Sequence, residues 1–231
     1  MTKNSQNTVS RKKRREQLAE ERKQRNRRYG LMGLMSLVLI VGILFFISQR
    51  TNENVADEFE GELAGIAYDG SPNAPVQIVE FGDFGCHSCR AWHNAHIKTL
   101  LKSQFGDQIA FQFRHFPVIT DQSPMAAAAG QCALEQNTQG FWAYHDYIYE
   151  VTAQGALSKR DLKRYAADVD LDTVAFDQCL DSGRYTNYVR QELQDARDMG
   201  ARGTPTFLIN GQQVNFSADA MSAAISAILD G

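Results

Sequence analysis

Negative charge is nearly missing from the first 28 residues of this 231-residue chain, where only Glu16, Glu20 and Glu21 oppose eleven lysines and arginines. That tail nets +8, while the thirteen basic and twenty-four acidic side chains beyond it net −11. The overall value of −3 therefore averages two unlike halves. Aromatic residues are also missing from the tail, so the interleaving expected of a nucleic-acid-binding segment is not there. Almost no apolar residue occurs in it, and residues 1–28 read as disordered. Charge of either sign is then absent from Tyr29 to Ser48 (YGLMGLMSLVLIVGILFFIS). Twenty residues at about 1.5 Å each span roughly 30 Å, the thickness of a bilayer's hydrocarbon core. No polar face interrupts the run, which excludes an ordinary buried core helix. No small-x-small pattern closely follows Phe45 and Phe46, so the segment reads as an uncleaved anchor rather than a signal peptide.

The expected organisation follows from these gaps. Residues 1–28 form a basic cytoplasmic tail, and 29–49 a single transmembrane helix oriented by the positive-inside rule. Residues 50–63 (RTNENVADEFEGEL) form an acidic linker, and 64–231 a globular domain outside the cytoplasm. No internal repeat is found. Within the domain, Val76–Phe81 (VQIVEF) is a nearly continuous apolar run and predicts a buried strand. A helix is expected over 86–105, with Trp92, Ala95, Ile97, Leu101 and Phe105 on its apolar side. The alternation in Ile109, Phe111 and Phe113 predicts a second strand, parallel to the first because a helix separates them. Helical spacing recurs over 125–135, 141–151, 158–169, 172–181 and 185–199, with Gly200 as a C-terminal stop. Strands over 206–209 and 212–216 flank an Asn210-Gly211 turn, and a helix over 218–229 closes the chain.

Cys86-His87-Ser88-Cys89 stands where the first strand gives way to the first helix. A helix amino terminus presents unpaired N–H groups and partial positive charge, which stabilise a thiolate at Cys86. Cys89 lies one turn inside, placed to resolve a mixed disulfide formed at Cys86. His87 adds positive charge beside Cys86 and is expected to lower its pKa further. A zinc site is the competing reading, since His93 and His96 follow on the same segment. Four ligands spread over about 15 Å of one straight helix are too far apart for a single ion, so no metal is expected.

Two features outside the motif bear on the chemistry. Gly203-Thr204-Pro205-Thr206 precedes an apolar strand, where proline marks special backbone geometry. A cis bond there would free the Thr204 backbone to pair with an extended substrate segment; the plainer reading is a turn proline. Glu80 is an acid inside an apolar strand, costly to bury unless it exchanges protons with Cys89. Alternatively, it sits at the strand's exposed end.

The stretch VEFGDFGCHSCRAWH, the distant GTPTFLING and the helical block between them resemble the DsbA family of thioredoxin-fold proteins, and within it the membrane-anchored bacterial branch. The resemblance runs from about Asp69 to Gly231. It implies an α/β thioredoxin-like fold with an all-helical domain inserted over about 120–200. It also implies Cys86 as nucleophile, Cys89 as resolving thiol, Glu80 as buried acid, and Thr204 with cis-Pro205 as the substrate-binding edge. The family's best-known oxidase carries Pro-His between its cysteines where this chain has His87-Ser88, a dipeptide that tunes the potential. Some relatives hold a structural disulfide in the helical block, which points to a Cys132–Cys179 pair; two separate buried thiols are the alternative.

The function implied is an extracytoplasmic thiol–disulfide oxidoreductase donating disulfides to exported proteins with cysteines. It would be recycled by a membrane redox partner of the DsbB or VKOR type and held on the bilayer by its anchor, with no cofactor and no nucleic acid. A reductase or isomerase of the same fold is the nearest alternative, though nothing resembles an added dimerisation domain. A copper-handling protein using both cysteines with His87 or His93 is the other.

Overall fold

The computed structural model describes residues 65–152 and 156–231. The basic tail, the membrane span and the linker expected over 1–63 lie outside them. Among the described residues no helix is long and apolar enough to cross a membrane.

Strand β2 (Val76–Gly82) is the centre of the architecture. It pairs in parallel with β3 (Ile109–His115) and antiparallel with β4 (Thr206–Ile209). Being covered on both faces, it reads as a continuous apolar run rather than an alternating one. A three-residue strand β1 (Ala67–Asp69) pairs antiparallel with β3 on one side, and β5 (Gln212–Val214) with β4 on the other. The sheet order is β1-β3-β2-β4-β5. At the end of β2, a Cβ on residue 82 would stand 2.5 Å from a ring carbon of Phe113, so only glycine lets that ring close over the strand.

The helix expected over 86–105 is two helices. Helix α1 spans His87–Asn94 and α2 spans Ile97–Phe105. His96 stands between them at φ +54°, in the left-handed region that histidine tolerates better than most side chains. The break re-aims the apolar positions. Leu101 and Phe105 reach the cluster formed by Val76, Ile78, Phe111 and Ile209, joined by Met221 and Ile225 of α8 (Ala218–Leu229). Each such side chain stabilises the fold by about 1.5–3 kcal/mol when fully buried. The break also removes the premise of one straight helix on which zinc was weighed above.

Between β3 and β4 lie five helices: α3 (Ser123–Gln136), α4 (Thr138–Val151), α5 (Lys159–Asp168), α6 (Thr173–Ser182) and α7 (Thr186–Asp198). This is the helical insertion. Side-chain caps start several of them: Asn137 accepts from Gly140, Ser158 from Asp161, and Asp172 from Val174 and Ala175. Cys132 on α3 and Cys179 on α6 form a disulfide with Cα atoms 5.7 Å apart. Glu192 and Asp195 of α7 pair with Arg114 of β3, and Glu192 also accepts from the His115 N–H at 3.0 Å. The largest apolar cluster joins this block to the sheet, and Cys86 and Cys89 belong to it.

Candidate active site

Cys86 is the N-cap of α1, with extended backbone angles (φ −85°, ψ 121°) that leave its side chain over the helix amino terminus. Its sulfur accepts from the Cys89 N–H at 3.4 Å, and only 5% of the residue is exposed. In the thiol form it donates to the Thr204 carbonyl oxygen at 3.2 Å. The Cys89 thiol, the Thr204 corner and the N–H groups of Cys89 and Ser88 all favour the thiolate form. These donors outweigh partial burial and lower its pKa from 9.0 to about 6. His87 is exposed to solvent. The largest sources of the lowering are hydrogen bonds.

Cys89 is fully buried. Burial, the hydrogen bond to Cys86 and the charges of Glu80 and Cys86 all push its pKa far above the ordinary thiol value. Both sulfurs are free in this structure. One turn of helix thus separates a thiol poised to ionise from one held neutral.

Glu80 lies on β2 between Phe113 of β3 and Phe207 of β4, and it is 6% exposed. The exposed-end reading is therefore excluded. Burial pushes its pKa from 4.5 up to about 8; Lys98 opposes that rise, and the charges of Cys86 and Asp146 add to it. The Thr204–Pro205 bond is cis, and the contact from Cys86 to the Thr204 carbonyl puts this corner against the sulfur.

Several residues that complete the site carry no periodic or motif signal of their own. Asp83, buried just ahead of the cysteines, accepts from Gly85 at 2.7 Å and from Val118 and Ile119 at 2.8 Å each. Its carbonyl takes the Cys86 N–H at 2.9 Å. It therefore ties the cysteine turn to the loop after β3. On α2, Lys98 places its ammonium 3.2 Å from Asp69, 3.9 Å from Asp146 and 3.9 Å from the centre of the Trp142 ring. Arg90, one turn beyond Cys86, donates to the Thr152 carbonyl, and both border a small recess beside Cys86.

Among the described residues, the set that comes nearest to a metal site is His93, His145 and Asp146, whose donor atoms lie within 4.8 Å of one another. His145 is bonded to Asp146 through Nδ1 at 2.8 Å, and Lys98 already supplies positive charge to the same carboxylate oxygen. In this cluster Lys98 balances the carboxylate charge, while burial lowers the His145 pKa to about 4 and its Nε2 has no hydrogen-bond partner among the described residues. His96, placed on the same segment in the zinc reading, is exposed at the helix break and takes no part in it.

A family model described as thioredoxin matches residues 64–227. The "probable disulfide bond formation protein D" of Bacillus cereus is 31% identical over 167 residues, covering 68% of this chain and 75% of that protein. A Na(+)/H(+) antiporter NhaA of Herminiimonas arsenicoxydans is 34% identical over 161 residues. The alignment covers 70% of this chain, which thus spans about a quarter (24%) of that longer relative. The crystal structure of oxidised BdbD from Bacillus subtilis superposes with a TM-score of 0.66 at 24% identity, covering 72% of this chain and 94% of that one.

Proposed function

We propose, from the premise that this chain belongs to the thioredoxin family as a DsbA-like thiol–disulfide oxidoreductase, that it runs in the oxidising direction and donates the Cys86–Cys89 disulfide to exported proteins. The observation that carries the direction is the stabilised Cys86 thiolate. Hydrogen bonds that lower its pKa to about 6 favour the reduced pair, and whatever favours the reduced pair makes the disulfide a stronger oxidant.

In the proposed cycle a client thiolate attacks Cys86. The Cys86–Cys89 bond breaks, its electron pair leaves on Cys89, and Glu80, protonated up to a pH of about 8, supplies the proton. A second client thiolate then attacks the client sulfur of the mixed disulfide. Cys86 departs as a thiolate, and the client holds a new disulfide. The Thr204 backbone beside the Cys86 sulfur is the edge along which an extended client segment aligns. Reoxidation falls to a membrane redox partner of the DsbB or VKOR type. We place the reaction outside the cytoplasm, with 29–49 as the anchor. The charge asymmetry around the apolar run and the disulfide joining Cys132 to Cys179 support that placement.

Equilibration of Cys86/Cys89 with glutathione buffers tests the direction. The expected potential lies near that of strongly oxidising relatives, about −120 to −180 mV. A value at or below about −250 mV would make the protein a reductant and end this reading.

A further inference from the structure

Two segments meet at the Cys86 sulfur, α1 and the loop before β4, and each carries an arginine that pairs with no acid among the described residues. Arg90 lies on α1 one helical turn beyond Cys86, about 6 Å along the axis. It borders the recess that Cys86, Phe84, Thr152 and Leu157 also line. Arg202 lies two residues before Thr204, whose carbonyl oxygen is 3.2 Å from the Cys86 sulfur. Each guanidinium is held through one nitrogen on a carbonyl at a helix end. Arg90 donates to Thr152, the C-cap of α4. Arg202 donates to Arg197, in the last turn of α7, at 3.0 Å and to Ala201 at 3.2 Å. Capping occupies only that one nitrogen. A guanidinium carries five N–H donors in a rigid planar fork, and among the described residues the remaining donors of both arginines have no partner. By contrast, Lys98, Lys102 and Arg114 are all neutralised by acids. Beyond residue 28 the chain nets −11, so two open cations on the segments that meet at the nucleophile run counter to its charge.

We propose that Arg90 and Arg202 are specificity-determining residues that bind carboxylates flanking the client cysteine, so that acidic client segments are oxidised in preference to neutral or basic ones. The inference rests on the reading of Cys86 as the sulfur that clients attack and of Thr204 as the edge along which they align. A client extended along that edge advances about 3.3 Å per residue, so its position opposite Arg202 is about 7 Å from the one opposite Thr204. A carboxylate two residues from the client cysteine comes within reach of that guanidinium. On the other segment, a client side chain next to the cysteine that enters the recess meets the open donors of Arg90. The capping bonds fix both guanidinium groups before a client arrives, which reduces the ordering that binding must offset. The planar fork suits the two oxygens of a carboxylate, which a lysine would meet only as a point charge. Neither arginine makes or breaks a bond. Their effect falls on the second-order rate of disulfide opening and weakens with salt.

The test uses the oxidised full-length chain and capped pentapeptides with a central cysteine, flanked on both sides by Glu or by Gln. Rate constants for opening of the Cys86–Cys89 disulfide are read by acid quench and chromatography. The Glu-to-Gln rate ratio of the wild type, divided by that of a variant, cancels the peptides' own thiol reactivity. For Arg90→Gln combined with Arg202→Gln this quotient should be about 3- to 10-fold, and smaller for either change alone. It should fall toward one in about 0.5 M sodium chloride. Arg90→Lys with Arg202→Lys should keep part of the preference, since the charge stays and the fork is lost. A quotient of one at low salt overturns the proposal, as does a quotient that salt leaves unchanged. Should the variants fail to fold, the wild type decides alone. With each peptide's rate normalised to its reaction with hydroxyethyl disulfide, the Glu peptide must outpace a Lys-flanked one, and equal or reversed rates overturn the assignment. If no peptide opens the wild-type disulfide, the underlying function is wrong. Opening without a charge preference sinks this inference alone.

Discussion

Glu80 is a side chain held at odds with the fold around it, and the proposed cycle gives it a task. The strand around it is apolar, and nothing described in the site hydrogen-bonds its carboxyl, so burial keeps it protonated to about pH 8. In the unfolded chain it ionises near 4.5. A group with a raised folded pKa contributes fully below the unfolded value and loses that contribution as pH climbs through the folded one. The native state is thus penalised increasingly between pH 4.5 and 8, by roughly 3 kcal/mol at pH 7. Glu80→Gln should remove most of that penalty. Urea unfolding of the reduced variant is expected to show a gain at pH 7 that vanishes below pH 4.5, together with slower resolution of mixed disulfides. A gain of equal size at pH 4 and pH 7 would mean that the carboxyl is not protonated in the folded protein. Cys86 is the counterpart: its lowered pKa stabilises the reduced fold above the ordinary thiol value and ceases to do so as pH falls through about 6. The two groups therefore bracket neutral pH from opposite sides, which is where an acid and a nucleophile must coexist.

At the level of elements, the disulfide between α3 and α6 invites a direct measurement. It closes a loop with a sequence separation of 47 residues, and the chain-entropy relation puts its contribution at about 4 kcal/mol. Cys132→Ala with Cys179→Ala should lower unfolding stability by that order while leaving the titration of Cys86 in place. A loss below about 1 kcal/mol would show that packing around Phe176 and Tyr144 holds α6 without the bridge. Other elements differ in how openly the sequence announces them. The helix over 218–229 and the strands around 76–81 and 206–209 were legible because their periodicity or apolar run is unbroken. Strand β1 is three residues long, too short for any alternation to register. The break at His96 has no glycine or proline to mark it, and the first turn of α4 escaped notice because its start is set by the Asn137 cap, ahead of the first apolar residue. In the site, the local pieces could be read: two cysteines at a strand–helix junction, an acid in an apolar strand, a proline before another. Asp83, Lys98 and Asp146 could not, because each matters only through what the folded chain brings beside it. Lys98, for example, faces Asp69 from another element and Asp146 from a third.

For the whole molecule, the redox chemistry and the charge distribution make one combined argument. An oxidising dithiol is of use only where clients arrive reduced and leave oxidised, which excludes a compartment held reducing by glutathione. A tail of eleven basic and three acidic residues resists crossing a membrane, and the apolar run from Tyr29 to Ser48 follows it directly. If that run spans the bilayer once, everything after Arg50 lies on the far side, and the catalytic domain stands at the membrane surface where a quinone-linked partner would recycle it. A reporter active only outside the cytoplasm, fused after Gly231, is expected to be active, and the same reporter fused within residues 1–28 to be silent. Protease added to intact spheroplasts should remove the domain from Ala64 onward and spare the basic tail. Protection of the domain would leave Cys86 and Cys89 in a reducing space. There a thiolate titrating at about 6 would keep the pair reduced, and the proposed donation of disulfides would have no thermodynamic source.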